Sequence, residues 1–226
     1  MGRACVINQP YFFPPLHWWE RMTRGVPVIL DDCPHNTNYP ANRATVSDDR
    51  GDEHYLTLPL VRESRHDPIL SMRVRSGWSA EHRNRLATFH RAAPHAEAAR
   101  ALFEVSAALD SAMPHRLLPV DLAGIHASNA LLGLDMDFVL ASDLGLGHLC
   151  KSARLIAICK ALDCDRLVLG GGSKGYVAAE AGLWQDAGVE VEWQDWHAPI
   201  PNRSILDSIA WVGVDRVREV ITGGKP

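Results

Sequence analysis

Apolar residues gather along this 226-residue chain in short runs, and each run ends in a cluster of polar or glycine residues. The run at 4–7 leads into Asn8-Gln9-Pro10, 26–30 into Asp31-Asp32, and 136–140 into Ser142-Asp143. The run at 167–169 leads into Gly170-Gly171-Gly172-Ser173-Lys174, and 189–193 into Gln194-Asp195. Continuous apolar runs of this length suit strands buried on both faces of a parallel sheet. In an open α/β sheet ligands bind outside the carboxyl ends of the strands, so these tails are expected to converge on one pocket.

Between the runs the period changes. Residues 16–23 read as a short helix after Pro14-Pro15, where proline fits the non-helical approach and first turn. Residues 32–43, rich in Pro and Asn, read as a loop. Residues 54–60 and 69–74 alternate as strands, with a polar hairpin turn over 46–53. From 78 to 133 the spacing is helical: Leu86, Phe89 and Ala93, then Ala98, Leu102, Val105 and Leu109, then 117–132 with Gly133 as a stop signal. From 134 the alternation returns, with strands over 136–140, 166–169 and 189–193. Helices are expected over 152–162, 174–187 and 202–211, the last capped by Asn202. The expected fold class is α/β, a Rossmann-like mostly parallel sheet with a helical insertion. An N-terminal α/β half covers 1–77, the insertion 78–133 and a C-terminal α/β half 134–226, all in one compact domain.

Composition excludes several partners. A formal net charge of −4 argues against a nucleic-acid partner, whose phosphates call for cationic neutralisation. No stretch approaches the roughly 18 apolar residues of a membrane span. The opening residues lack the apolar core and cleavage site of a secretory leader, so a cytoplasmic location is expected. The five cysteines include no Cys-x-x-Cys pair, which speaks against a disulfide framework. The eleven histidines are scattered without a His-Glu-x-x-His pair, and no metal is expected.

Candidate chemistry sits mostly in the strand tails. The 170–176 segment follows a strand and opens a helix. Its glycines let the backbone turn tightly and approach a ligand, its N–H groups face an anion, and Lys174 adds charge. It meets the Gly-x-Gly-x-x-Gly spacing of dinucleotide sites literally, with Asp195 near the place of the acidic partner, yet it lies late in the chain. A plain strand-to-helix turn is the alternative. Asp31 and Asp32 point to opposite sides of an extended chain, so one is placed as a base and the other to hold loop backbone, or they start an Asx-type turn. Asn8 and Gln9 offer orienting amides followed by the aromatic Tyr11, or form a tight turn. His17 titrates near neutrality and is a candidate general acid or base, or a structural histidine. Cys33, with His35 nearby, is a candidate thiolate, although two adjacent carboxylates raise a thiol's pKa. Lys151 and Ser152 offer an anion contact or helix cap, or a solvated helix start.

Taken in order, these segments resemble the WbqC-like family of bacterial proteins, found with O-antigen and natural-product biosynthesis genes. Asn8-Gln9-Pro10-Tyr11-Phe12-Phe13-Pro14 is similar to the family's opening His-Gln-Pro-Asn-Tyr-Leu-Pro, Asp31-Asp32 to its Leu-Asp-Asp strand end, and Asn42-Arg43 to its Asn-Arg. Pro94 falls in its Tyr-x-x-x-Pro-Tyr stretch, Lys151-Ser152 at its Lys-Thr, and 170–176 at its Ser-Gly-x-Gly-Gly-x-x-Tyr. Gln194-Asp195, Pro199 and Asn202-Arg203-Ser204-Ile205-Leu206-Asp207 complete the order. The chain departs at Asn8, where the family has histidine, at Gly170, where it has serine, and at Pro34-His35, where it has Gln-Phe.

The resemblance implies an acyl or aminoacyl (glycyl-like) transferase that forms an amide between an activated acyl donor and an amine, for instance on an aminosugar. Asp32 or His17 then takes the amine proton, and N–H groups of 171–173 hold the acyl oxyanion. Lys174 or Lys151 holds the phosphate or phosphopantetheine arm of a coenzyme A or carrier-protein thioester. The implied partners are a small-molecule amine and an acyl carrier protein. The catalytic candidates are Asp32, His17, Asp31 and Cys33. The substrate- or anion-binding candidates are Gln9, Asn8, Tyr11, Asn42, Arg43, Lys151, Ser152, Gly171, Gly172, Ser173, Lys174, Tyr176 and Asp195. Two other readings stay open. One is a nucleotide-dependent transferase or ligase, with the glycine loop on phosphate and Asp31 or Asp32 on magnesium. The other is a non-catalytic binding partner in a biosynthetic complex.

Overall fold

A computed structural model describes residues 2–35, 41–64, 67–110 and 114–224. In chain order, β1 (Ala4–Asn8) leads through α1 (Leu16–Met22) to β2 (Val26–Ile29). A hairpin of β3 (Arg43–Ser47) and β4 (Glu53–Thr57) follows, then the short β5 (Arg73–Val74). Next come α2 (Trp78–Phe89) and α3 (Ala96–Ala107), β6 (His115–Arg116), and α4 (Leu117–Leu132). The chain continues through β7 (Val139–Leu140), α5 (Lys151–Ala161), β8 (Arg166–Leu169), α6 (Lys174–Ala179) and α7 (Ala181–Ala187). It ends with β9 (Glu190–Trp193), α8 (Ile205–Val212) and α9 (Val214–Thr222).

One five-stranded sheet carries the fold, in the order β7-β2-β1-β8-β9, with every pair parallel. This is the α/β, Rossmann-like architecture that the apolar runs predict. The order turns back at β1: β2 and β7 extend the sheet to one side, β8 and β9 to the other. A topological switch point therefore lies between the carboxyl ends of β1 and β8. Pro27 sits in β2 where it faces Val6 of β1 but has no partner on β7, whose pairing covers only Val28 and Ile29. Its missing N–H is thus tolerated in an interior strand.

Alternation along the strands sorts side chains into two cores. Ala4, Val6, Ile29 and Val168 join Trp18, Trp19, Phe12, Phe13 and the buried faces of α2, α3, α4, α8 and α9 on one side. Cys5, Ile7, Val28, Leu167 and Leu169 join Leu155, Ile158 and Cys159 of α5 and Trp184 of α7 on the other. The helices of 78–133 share the first core, with α3 packed on α4 and α8, and α4 on α9.

Several elements differ from expectation for identifiable reasons. The strand expected over 136–140 is reduced to β7. The Asn129 side chain occupies both backbone groups of Met136, at 3.1 and 3.3 Å, and Asp135 turns to φ 49°, out of extended form. The strand expected over 69–74 is a 3₁₀ turn over Ile69–Ser71 before β5. Ile69 N–H donates to Cys33 O at 3.0 Å and Leu70 N–H to Asp31 O at 2.7 Å, which ties this turn to the end of β2. Residues 43–47, expected as loop and hairpin turn, form a strand that buries Ala44 and Val46. Positions 36–40 of that expected loop lie outside the described residues.

The helix expected over 174–187 is two, broken at Glu180, whose N–H turns back to Val177 O at 3.2 Å. Gly175 and Gly182 weaken the two halves. The helix expected from 202 begins at Ile205, and its cap is Ser204, whose hydroxyl accepts the Asp207 N–H at 3.4 Å. Asn202 is used elsewhere. α9, with Val217, Val220 and Ile221 buried at helical spacing, is absent from the sequence reading. No helix among the described residues is long and apolar enough to cross a membrane.

Candidate functional site

A cavity of about 460 Å³ opens at the switch point. Ile7, Asn8 and Gln9 come from the end of β1, Leu30 from β2, and Leu169 and Gly170 from β8. Gly172 and Ser173 come from the turn after β8, Tyr11 from the loop after β1, His17 and Arg21 from α1, and Leu155 from α5. A smaller cavity of about 330 Å³ lies between the β3–β4 hairpin and α8, with no strand of the five-stranded sheet in its wall. The switch-point cavity is where ligands bind in such sheets.

The loop after β1 is pinned from below. Trp18 Nε1 donates to Gln9 O at 2.9 Å and Trp19 Nε1 to Pro14 O at 3.2 Å, and both indoles are fully buried. Gln9 Nε2 in turn reaches Cys33 Sγ at 3.0 Å and Pro34 O at 3.4 Å, and Asn8 Nδ2 reaches Met22 Sδ at 3.3 Å. The two amides thus brace β1 against its neighbours while lining the cavity.

His17 is bracketed by Asn202. Asn202 Oδ1 accepts the His17 backbone N–H at 3.0 Å and lies 3.1 Å from Nδ1, with Asn202 Nδ2 2.8 Å from Nδ1. Gln194 Nε2 donates to His17 O at 2.8 Å. Burial pushes the imidazole below its usual pKa, and the Asn202 contact partly offsets this, which favours the neutral ring. With the proton on Nδ1 and donated to Oδ1, Nε2 keeps its lone pair. With the proton on Nε2, Asn202 Nδ2 donates to Nδ1 instead.

One helical turn on, Arg21 shares this wall. Its Nε is buried without a hydrogen-bond partner, and the guanidinium has no ion pair among the described residues. A Cβ added at Gly170 would fall 2.1 Å from Arg21 Nη1, so the guanidinium lies directly on the glycine turn. In that turn Ser173 N–H donates to Gly170 O at 3.2 Å and Lys174 N–H to Gly171 O. The Gly172 N–H has no such partner among the described residues. α6, six residues long, adds little dipole to the turn.

The other candidates are placed elsewhere or engaged. Asp31 is fully buried and both carboxylate oxygens are taken by Ser142, from N–H at 3.0 Å and Oγ at 2.7 Å. It fastens the end of β2 to the turn after β7. Asp32 pairs with Arg154 of α5 and does not line the cavity. The Cys33 thiol is pushed by burial up to about 11, against the Gln9 contact, and donates to Leu30 O at 3.2 Å. It is protonated at neutral pH, which argues against a nucleophilic thiolate.

Ser152 is buried and accepts from Trp184 Nε1 at 3.2 Å, while Lys151 is exposed. Lys174 Nζ stands 5.8 Å over the Trp193 ring, outside the cavity wall. Asn42 donates to Leu58 O at 2.7 Å, and Arg43 stacks over Tyr55 at 4.7 Å, both within the hairpin region. Gly171 and Asp195 are exposed, Asp195 with a side chain 94% accessible. The Tyr176 side chain lies outside the described residues.

The structure therefore brings together Asn8, Gln9, Tyr11, His17, Gly172 and Ser173, and adds Arg21 and Asn202. Arg21 was missed in the sequence; the signal that would have found it is its place four residues after His17, on the same helical face. Asn202 gave no local signal of its pairing with His17, because the contact spans 185 positions.

No curated protein matches the chain, and no solved structure matches it. The WbqC-like protein family model matches residues 9–219, from the loop after β1 into α9. That span takes in every residue of the cavity wall except Ile7 and Asn8, and the chain belongs to the WbqC-like protein family.

Proposed function

We propose that this protein is an acyl or aminoacyl transferase that joins an activated acyl group to an amine in the switch-point cavity. The observation that carries the reading is His17, a neutral imidazole on the cavity wall oriented through Nδ1 by Asn202. An attacking amine must give up a proton, and a base in its proton-accepting form near neutrality serves that step. Asp31 and Asp32 are engaged by Ser142 and Arg154, which leaves His17 as the base.

In the tautomer with the proton on Nδ1, Nε2 takes the amine proton as the nitrogen bonds to the acyl carbon. The Gly172 N–H donates to the oxyanion that forms. Collapse of the intermediate breaks the bond from the acyl carbon to the donor sulfur. His17 returns its proton to the departing thiolate. The donor class is a coenzyme A or carrier-protein phosphopantetheine thioester and the acceptor a small-molecule amine, in an O-antigen or natural-product pathway. The five free cysteines suit a reducing cytoplasm for such chemistry.

Thermal unfolding with glycyl- and acetyl-coenzyme A, against nucleotides with and without magnesium, tests the reading. A ligand at ~100 times its Kd adds about 2.7 kcal/mol of stability. Stabilisation by the thioesters alone is expected. A shift that requires nucleotide and magnesium would replace this reading with a nucleotide-dependent transferase or ligase. The absence of any shift would favour a non-catalytic binding partner.

A further inference from the structure

We infer that the substrate held in the switch-point cavity carries a permanently ionised oxyanion, a phosphate ester or a carboxylate, and that Arg21 receives it. The inference rests on the reading of this cavity as the substrate site, though not on the acyl-transfer step.

The charge of the wall is the first support. Among the residues that line the cavity, Arg21 alone carries a full charge, and no carboxylate lines the wall, in a chain of net charge −4. Several arginines elsewhere are matched: Arg24 with Glu20 and Glu192, Arg83 with Glu104, Arg154 with Asp32, and Arg203 with Glu53. Glu20, the acid next to Arg21 in sequence, is occupied by Arg24 at 2.7 Å and by Gln194.

The second support is the state of the guanidinium. Nε is buried and without a partner among the described residues, and burial pulls the group below its usual pKa. A buried donor left unmade is costly, and a buried charge more so unless it is paired. An oxyanion entering the cavity supplies the missing acceptor and countercharge, and the planar fork of arginine matches carboxylate and phosphate geometry.

The third support is Gly170. Its φ of −81° is open to any residue, so the backbone does not call for glycine there. The space of its missing Cβ is taken by Arg21 Nη1. Glycine here lets the guanidinium lie on the turn, beside Gly172 and Ser173, so that cationic and hydroxyl donors share one wall.

Thermal unfolding at fixed ionic strength tests this, with sodium chloride replaced stepwise by inorganic phosphate in one arm and by acetate or succinate in the other. Wild type should show saturable stabilisation in one arm, and the arm identifies the group. Arg21→Gln should weaken that anion roughly ten- to hundredfold. Gly170→Ala should weaken it too, because the new methyl displaces Nη1 while the charge remains. His17→Gln should keep anion binding, so that loss of turnover in that variant is read separately. Saturation unchanged in a folded Arg21→Gln or Gly170→Ala protein would overturn the inference, as would the absence of saturation in both arms for wild type. If Arg21→Gln does not fold, Gly170→Ala decides.

Discussion

Asn202 brackets His17, with Oδ1 3.0 Å from its backbone nitrogen and Nδ2 2.8 Å from Nδ1. The loop before α8 thus sets the ring that α1 carries to the cavity. Asn202 raises the His17 pKa against the larger lowering by burial. In the proposed reaction the working form is neutral, so activity should be lost as pH falls through that pKa. Asn202→Ala removes the upward contribution and should move the acid limb of the pH–rate profile to lower pH, with kcat reduced roughly tenfold through lost orientation. Asn202→Asp adds a carboxylate and should move the limb to higher pH. An acid limb that stays in place in both variants would remove His17 from the step.

Asp32 and Arg154 form a pair whose side chains are 16% and 9% accessible. Breaking such a pair leaves a charge uncompensated, and Asp32→Asn should cost about 3 kcal/mol in urea denaturation. The double change Asp32→Leu with Arg154→Met should recover much of that loss. Turnover per folded molecule should be unchanged in Asp32→Asn. Loss of turnover with the fold intact would make Asp32 the base instead.

Asp207 organises a buried cluster away from the cavity. Its Oδ1 accepts the Ser47 N–H at 2.7 Å and lies 3.0 Å from His90 Nε2, and Ser47 Oγ donates to Oδ2 at 3.0 Å. This cluster ties β3 to α8 and to the end of α2. Asp207→Ala leaves several buried donors unmade and should destabilise the fold by about 3 kcal/mol or more, read by denaturant unfolding. Anion and thioester binding by the folded fraction should be retained.

Asp121 on α4 is fully buried, and neither carboxyl oxygen has a hydrogen-bond partner among the described residues. Burial holds its pKa well above the usual carboxylate range. The folded chain therefore keeps a proton that the unfolded chain releases above about pH 4. The contribution of this group to stability is present below that pH and falls as pH rises towards the folded pKa, by up to about 1.4 kcal/mol per pH unit. The stability of Asp121→Asn relative to wild type should increase from pH 4.5 upwards in parallel urea titrations. A difference independent of pH would show that Asp121 does not titrate in this way.

The sheet was legible because its strands are buried on both faces and read as unbroken apolar runs, as in Ala4–Asn8 and Arg166–Leu169. α4 was legible because Gly133, at φ 60°, stops it. Elements set by particular side-chain and loop contacts were not. β7 is cut short by the Asn129 side chain, and the turn at Ile69–Ser71 is wound by bonds to the end of β2. The site shows the same division. The strand tails of β1 and β8 announced themselves, whereas the engagement of Asp31 by Ser142 and of Asp32 by Arg154 comes from residues more than 100 positions away.

The role proposed for His17 is to accept a proton during amide formation in the switch-point cavity. The most direct measurement is thiol release from glycyl-coenzyme A, with an aminosugar panel as acceptors and amide product read by mass spectrometry, for wild type and His17→Gln. Amide formation without nucleotide is expected for wild type, with a loss of roughly 100-fold or more in a folded His17→Gln protein. Undiminished amide formation by His17→Gln, or formation only with nucleotide and magnesium, would contradict it.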